Sequence, residues 1–318
     1  MKRSEEYSWQ VLGIRYGWEG LLKSDTQPLT FKDVEGIISL GGTILKSSRT
    51  NPTKRPNGVE TILENATKLG LDAVIGVGGD DTLGVASLLH KRGLKIVGVP
   101  KTMDNDLSST DYTFGFDSSV YEAMHAIDNL RTTAESHDRV FVVEVMGRHA
   151  GWVAAYSGIA SGANLILVPE EPFDLQEVVE FVTKRHERGE KATIIVVSEG
   201  ATLKNSKVLD QGKVDEFGNV RLGGIGQFLG EEIEKRTKFD TRIAVLGHMI
   251  RGSSPTAFDR VLSTRFGLAA VDLIRDGRFG MMVSLRGTDI TAVSLEESTS
   301  KQRTLDAGML YLIKTVSY

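Results

Sequence analysis

The sequence predicts an α/β protein built from two doubly wound αβα domains. Short, near-continuous runs rich in Val and Ile recur along the chain. Such runs read as strands covered on both faces, as in parallel sheets. Between them lie stretches with apolar residues at helical spacing. Polar turns then follow the strands, which is where ligands of such folds bind. Composition agrees: 318 residues, 40% hydrophobic and 25% charged, are enough for one large or two medium α/β domains.

The predicted strands are DAVIGVGG (72–79), KIVGVP (95–100), RVFVVEVMG (139–147), NLILVPE (164–170), ATIIVVSEG (192–200) and RIAVLGH (242–248). A helix is predicted over 118–136, with Val120, Met124, Ile127 and Leu130 on one stripe and Ser119 with Glu122 placed as a capping box. A second, over 175–188, follows Asp174, has Glu177 at its third position and can end at Gly189. A third, over 256–275, follows Pro255. The polar stretch 201–222 reads as a surface excursion, and no internal repeat or low-complexity tract is present.

Charge and composition exclude several function classes. The net charge is −4, so no general basic field exists for nucleic acid or anionic lipid, and anion binding has to be local. With no cysteine there is no disulfide, thiolate metal site or cysteine nucleophile. The start of the chain is polar and no apolar run reaches the roughly 18 residues of a membrane span, so the reading is a soluble, cytoplasmic protein. The histidines do not form an H-E-x-x-H pattern; His90 and His186 read as helix-surface residues, and His149 is placed beside the sugar-site candidates. Trp9, Trp18 and Trp152 are scattered and read as packing residues.

The polar turns carry the chemistry. In GGDDT (78–82), Gly78 and Gly79 allow close approach of a phosphate, and a helix starting near Thr82 supplies N–H groups. The segment is neither a dinucleotide fingerprint nor a Walker loop, and alone it reads equally as a plain strand-to-helix turn. The turn after the next strand, PKTMDND (100–106), adds Lys101, Thr102, Asp104 and Asp106. On neighbouring parallel strands the two turns would converge. Carboxylates gathered in that way can hold Mg²⁺ on phosphate oxygens and accept a proton from an attacking hydroxyl.

With GFDSS, VVEVMGRHAG, SEG and LGHMIRGSSP following in order, this motif series resembles that of the 6-phosphofructokinases, from about Arg15 to Leu285. The resemblance implies phosphoryl transfer to the 1-hydroxyl of fructose 6-phosphate. By motif it implies Asp104 as the base, Thr102 as the hydroxyl holding the transferring phosphoryl, and Asp80 with Asp106 as Mg²⁺ ligands. Arg148 would spread over the transition-state charge. Met146 and Gly147 would wall the sugar, and Glu199 would bind its hydroxyls. Arg139, Arg242, His248 and Arg251 match the 6-phosphate site. In the family, the positions of Arg139 and Arg242 come from the neighbouring subunit, which implies a homodimer or homotetramer with shared sites. Gly79, Thr82 and Arg49, the last in GGTILKSSRTNP (41–52), fall on the donor side.

Two positions bear on the donor. ATP-using members tend to have glycine where this chain has Asp81 and Lys101, whereas pyrophosphate-using members tend to have aspartate and lysine. An aspartate there would fill the space of a further phosphate and repel it, and Lys101 would offset the charge of the shorter donor. The leading reading is thus a reversible, Mg²⁺-dependent, pyrophosphate-using enzyme of glycolysis. Its rivals are an ATP-dependent phosphofructokinase, an inactive sugar-phosphate-binding homologue and, less in keeping with MGRHAG and GHMIRGSSP, a lipid or dinucleotide kinase. Against the family pattern the first strand and its Gly-rich turn are missing from this chain, which would leave a slot beside the donor sheet. The resemblance further implies a larger, donor-side domain over 1–115 and 253–300, and a smaller, sugar-side domain over 116–252 and 301–318.

Overall fold

The computed structural model describes residues 1–204, 210–214, 216 and 220–317. The chain opens with α1 (Lys2–Glu6), β1 (Leu12–Ile14), α2 (Trp18–Lys23), β2 (Thr26–Pro28), α3 (Phe31–Val34) and α4 (Gly58–Lys68). It continues through β3 (Val74–Gly78), α5 (Asp80–Lys91), β4 (Ile96–Pro100), α6 (Phe116–Ser136), β5 (Val140–Val145), α7 (Trp152–Ala160), β6 (Leu165–Leu167), α8 (Leu175–Glu187) and β7 (Thr193–Ser198). The remainder comprises β8 (Asp210–Val214), β9 (Val220–Leu222), α9 (Ile225–Thr237), β10 (Thr241–Val245), α10 (Ala257–Arg275), β11 (Met281–Arg286), β12 (Asp289–Ser294), α11 (Leu295–Ser298) and α12 (Ala307–Val316).

Two four-stranded sheets organise the molecule, in the orders β12-β11-β4-β3 and β10-β5-β7-β6. The second is parallel throughout, and in the first only β12 runs antiparallel. Side chains alternate along a strand, so an all-apolar strand feeds two cores at once. In the first sheet Ile96 and Met282 pack with Leu83 and Leu89 of α5 and Ile62 of α4. Their neighbours Val97, Val99 and Val283 pack on the opposite face with Leu262 and Phe266 of α10. In the second sheet Phe141, Val143, Ile194 and Val196 face α6 and α7, while Val140, Val142, Ile195 and Val197 face α8 and α9. Each sheet is thus sandwiched between helices, as the sequence predicts. Phe266 is fully buried in its layer; Phe266→Ala is expected to cost about 3–5 kcal/mol of stability, read as a lower denaturant midpoint at unchanged slope.

Several local expectations are corrected. Strand β3 is not covered on both faces: Ile75 and Val77 are 38% and 51% exposed. They stand beside Val97 and Val99 in register, but β3 lies at the sheet edge, and a cleft opens there between the strand and Val271, Ile274 and Phe279. Helix α6 begins at Phe116 behind Gly115 (φ +101°), without the Ser119–Glu122 capping box. Ser119 instead lies inside the first turn and donates to the Gly115 carbonyl. Helix α5 begins at Asp80, two residues earlier than expected. Of the expected excursion at 201–222, residues 205–209, 215 and 217–219 lie outside the described residues; β8 and β9 pair antiparallel within it.

Candidate active site

Strands β3 and β4 are adjacent and parallel, ending together at the Gly78–Pro100 pair. The turns that follow are therefore neighbours. The Lys101 N–H donates to the Gly78 carbonyl at 2.9 Å. A Cβ on Gly79 would lie 3.3 Å from the Thr102 Cβ, so glycine lets the two turns close on each other. Gly79 is the N-cap of α5, which places Asp80 and Asp81 in its first turn. The positive end of a helix favours carboxylates there by roughly 0.3–1 kcal/mol, which offsets part of the cost of setting two acids side by side.

Burial and mutual repulsion nevertheless dominate these acids. Asp80 is pushed above the usual carboxylate range by burial and then by Asp81. Asp106 is pushed up to about 7, by burial first and then by Asp104, Asp80 and Asp81. Its buried Oδ1 has no hydrogen-bond partner. Asp104 is also raised by burial, against the pull of Arg251, Arg148 and the Thr102 hydroxyl. Its N–H donates to Thr102 Oγ1 at 3.1 Å. Lys101 opens onto the same cleft, and the protein around it, with Arg251, lowers its pKa.

The second sheet contributes the opposite wall. Strands β5 and β7 end together at Val145 and Ser198. The Glu199 N–H donates to the Val145 carbonyl at 2.9 Å, and Ser198 Oγ donates to the Gly147 carbonyl at 2.6 Å. Gly147 has φ +144°, and a Cβ there would lie 2.5 Å from Ser198 Oγ, so this turn requires glycine. The loop carrying Arg148 is thereby packed onto the turn carrying Glu199. Its far end is held by Glu170, whose carboxylate accepts from the N–H groups of Gly151 and Leu305. The Arg148 Nε is buried without a protein partner. Glu199 is raised by burial, against a hydrogen bond from Gly147. From the end of β10, Arg251 reaches Met146 Sδ at 3.2 Å.

These turns face one cleft of about 2340 Å³. Asp80, Asp81, Thr82, Lys101, Thr102, Asp104, Asp106, Gly79 and Arg49 line it on one side; Met146, Arg148, Glu199, His248 and Arg251, on the turns after the second sheet's strands, line it on the other. Gly147 shapes the loop from behind. Arg139 and Arg242 are not part of this wall. Arg139 precedes β5 and Arg242 opens β10, whereas Met146 and His248 follow the other ends of those strands. At about 3.3 Å per residue that is roughly 20 Å along the sheet. Both arginines instead pair with Asp240, at 2.6 and 2.5 Å.

The cleft also contains His149, which the sequence places beside the sugar site, and three residues it does not single out, Glu144, Gly223 and Gly224. Glu144 is buried and accepts from Gly226 N at 2.8 Å, fixing the start of α9. A charged residue inside the apolar run VFVVEVM was the available signal. His149 is pulled below the usual histidine range by burial and by Arg148.

The donor set suits a magnesium ion. Asp80 and Asp106 present partly buried carboxylates, the latter with a buried oxygen that has no partner among the described residues. No group of three or more His, Cys, Asp or Glu suited to a metal occurs among the described residues. Mg²⁺ characteristically takes one or two carboxylates, with waters and substrate phosphates completing its shell.

Two helix-sandwiched sheets whose strand ends meet at a cleft of carboxylates and guanidinium groups define an α/β enzyme. The family model "Phosphofructokinase" matches residues 1–274, and the chain belongs to the phosphofructokinase family. It is 56% identical over 305 residues to a pyrophosphate–fructose 6-phosphate 1-phosphotransferase of Amycolatopsis methanolica, covering 96% of this chain and 89% of that protein. An ATP-dependent 6-phosphofructokinase 3 of Streptomyces coelicolor is 49% identical over 297 residues, covering 93% and 87%. Among solved structures, Pichia pastoris phosphofructokinase in the T-state superposes with a TM-score of 0.82 at 30% identity, covering 99% of this chain and 34% of that one. A pyrophosphate-dependent phosphofructokinase from Marinobacter aquaeolei shares the fold with a TM-score of 0.80 at 24% identity, covering 96% and 79%. No described helix is long and apolar enough to cross a membrane.

Proposed function

We propose that the protein transfers a phosphoryl group from pyrophosphate to the 1-hydroxyl of fructose 6-phosphate, reversibly and with Mg²⁺. The observation that carries this reading is the convergence of Asp81 and Lys101 with Thr102, Asp104 and Arg148 on one cleft. Asp104 takes the proton of the sugar hydroxyl as its oxygen attacks phosphorus. The bond from that phosphorus to the bridging oxygen of pyrophosphate breaks, and inorganic phosphate leaves. The Thr102 hydroxyl and the Arg148 guanidinium hold the transferring group, whose charge spreads over its outer oxygens. When bound by Asp80 and Asp106, Mg²⁺ would neutralise donor charge.

Asp81 supports the shorter donor. Two unit charges about 4 Å apart at an effective dielectric near 20 interact by on the order of 4 kcal/mol. A carboxylate in the path of an additional phosphate therefore disfavours ATP. Relatives named for pyrophosphate reach 56% and 54% identity, which also favours it. The ATP-dependent reading remains the second one, favoured by relatives named for ATP at 49% identity. On the sugar side, Glu199, His248 and Arg251 bind fructose 6-phosphate within the chain. Arg139 and Arg242, at the far end of their strands, serve the site of a neighbouring subunit, so the active form is a homo-oligomer.

The test compares donors with fructose 6-phosphate and Mg²⁺, following fructose 1,6-bisphosphate. Turnover with pyrophosphate is expected to exceed that with ATP and to vanish with excess EDTA. Faster turnover with ATP would overturn the donor assignment.

A further inference from the structure

The turn that carries Thr102, Asp104 and Asp106 does not stand by its own hydrogen bonds alone. Asn105 sits at its centre in the left-handed region, at φ +51°, and is 1% exposed. Such a conformation persists only where surrounding contacts over-determine it. Those contacts come from two segments, one close in the chain and one distant. From 110–116, the fully buried Thr113 donates its hydroxyl to the Thr102 carbonyl at 2.7 Å. Its N–H donates to Asn105 Oδ1 at 3.0 Å. From the segment before α12, the Arg303 N–H donates to the Asp106 carbonyl at 2.7 Å. The Arg303 guanidinium contacts the Asn105 carbonyl at 3.4 Å.

Arg303 also reaches across to the other wall. Its guanidinium carbon lies 4.1 Å from the centre of the Trp152 ring, within stacking range. Trp152 Nε1 donates to the Arg303 carbonyl at 3.0 Å. Trp152 is the first residue of α7, directly behind the loop that bears Arg148. One side chain thus ties the carboxylate turn of the first sheet to the arginine loop of the second. Neither Thr113 nor Arg303 lines the cleft, so neither is placed to touch substrate.

We infer that Thr113 and Arg303 are positioning residues for phosphoryl transfer, holding the Thr102–Asp106 turn in register with Arg148 through Asn105 and Trp152. The inference rests on the proposed reaction, in which the proton acceptor and the charge-bearing arginine must meet around one phosphorus.

The experiment compares wild type, Thr113→Val, Arg303→Met and Arg303→Lys with pyrophosphate, fructose 6-phosphate and Mg²⁺, after circular dichroism confirms folding. A displaced turn should lower kcat by about tenfold to a hundredfold. KM for fructose 6-phosphate should stay within about twofold, because its binding residues are untouched. The Mg²⁺ concentration for half-activation should rise as Asp106 moves. Arg303→Lys, which keeps a cation and a donor, should recover part of the kcat loss. Should Arg303→Met fail to fold, the near-isosteric Thr113→Val decides. Folded variants with wild-type kcat, or with losses confined to the sugar KM, overturn the inference while leaving the reaction intact. A wild-type protein inactive with both donors instead removes the reaction, and the inference with it.

Discussion

Asp104→Asn is expected to lower kcat by about 10²–10⁴, the usual contribution of a positioned general base. The amide keeps the shape of the carboxylate and can still face the Thr102 hydroxyl, which lies 3.5 Å from Asp104 Oδ2. It cannot take the sugar proton. The sugar site is otherwise unchanged, so KM for fructose 6-phosphate should move little. Nor should the Mg²⁺ requirement rise, because removing the Asp104 charge removes one source of repulsion on Asp106. That pattern separates a lost base from a lost metal site: Asp106→Asn should raise the Mg²⁺ needed, while Asp104→Asn should not. A kcat within tenfold of wild type would exclude Asp104 as the base.

The second large effect concerns the donor. The double change Asp81→Gly with Lys101→Gly is expected to raise kcat/KM for ATP, relative to pyrophosphate, by about 30–100-fold. That corresponds to about 2–3 kcal/mol at 1.4 kcal/mol per tenfold, less than the charge–charge figure at a dielectric near 20 because water in the open cleft screens the charges further. The single change Asp81→Gly should give less, since Lys101 still occupies the wall, and Lys101→Gly alone should mainly weaken pyrophosphate. The check is kcat/KM for each donor at fixed fructose 6-phosphate and Mg²⁺. Unchanged preference in the double variant would show that Asp81 does not face the donor.

Much of the site was legible in the residues. Four carboxylates, a lysine and a threonine on two successive turns point to phosphate and metal chemistry before any coordinate is known. Other parts were hidden. The start of α5 at Asp80 rather than Thr82 depends on Gly79 taking the cap, and glycine leaves little local signal of where a helix begins. That Arg139 and Arg242 lie outside their own chain's cleft was implied by the family resemblance but not by the residues themselves, because it is a matter of strand length. Both stand in motifs that match the sugar site, yet at the wrong end of β5 and β10. The support from Thr113 and Arg303 escapes any local reading; Arg303 and Asn105 are 198 positions apart.

The residues alone specified the six apolar strands β3 to β7 and β10, the helices α6, α8 and α10, which turns are polar, and which functional groups the chain owns. Those are local properties, set by periodicity, backbone preference and side-chain chemistry. Only the tertiary structure decided that the ends of β3 and β4 open beside those of β5 and β7, that Asp106 is crowded by three other acids, and that Arg303 bridges the two walls. Adjacency of strand ends follows from sheet order and crossover, and the proton affinity of a carboxylate follows from what surrounds it. Both are set by packing between segments far apart in the chain, where local patterns carry no record.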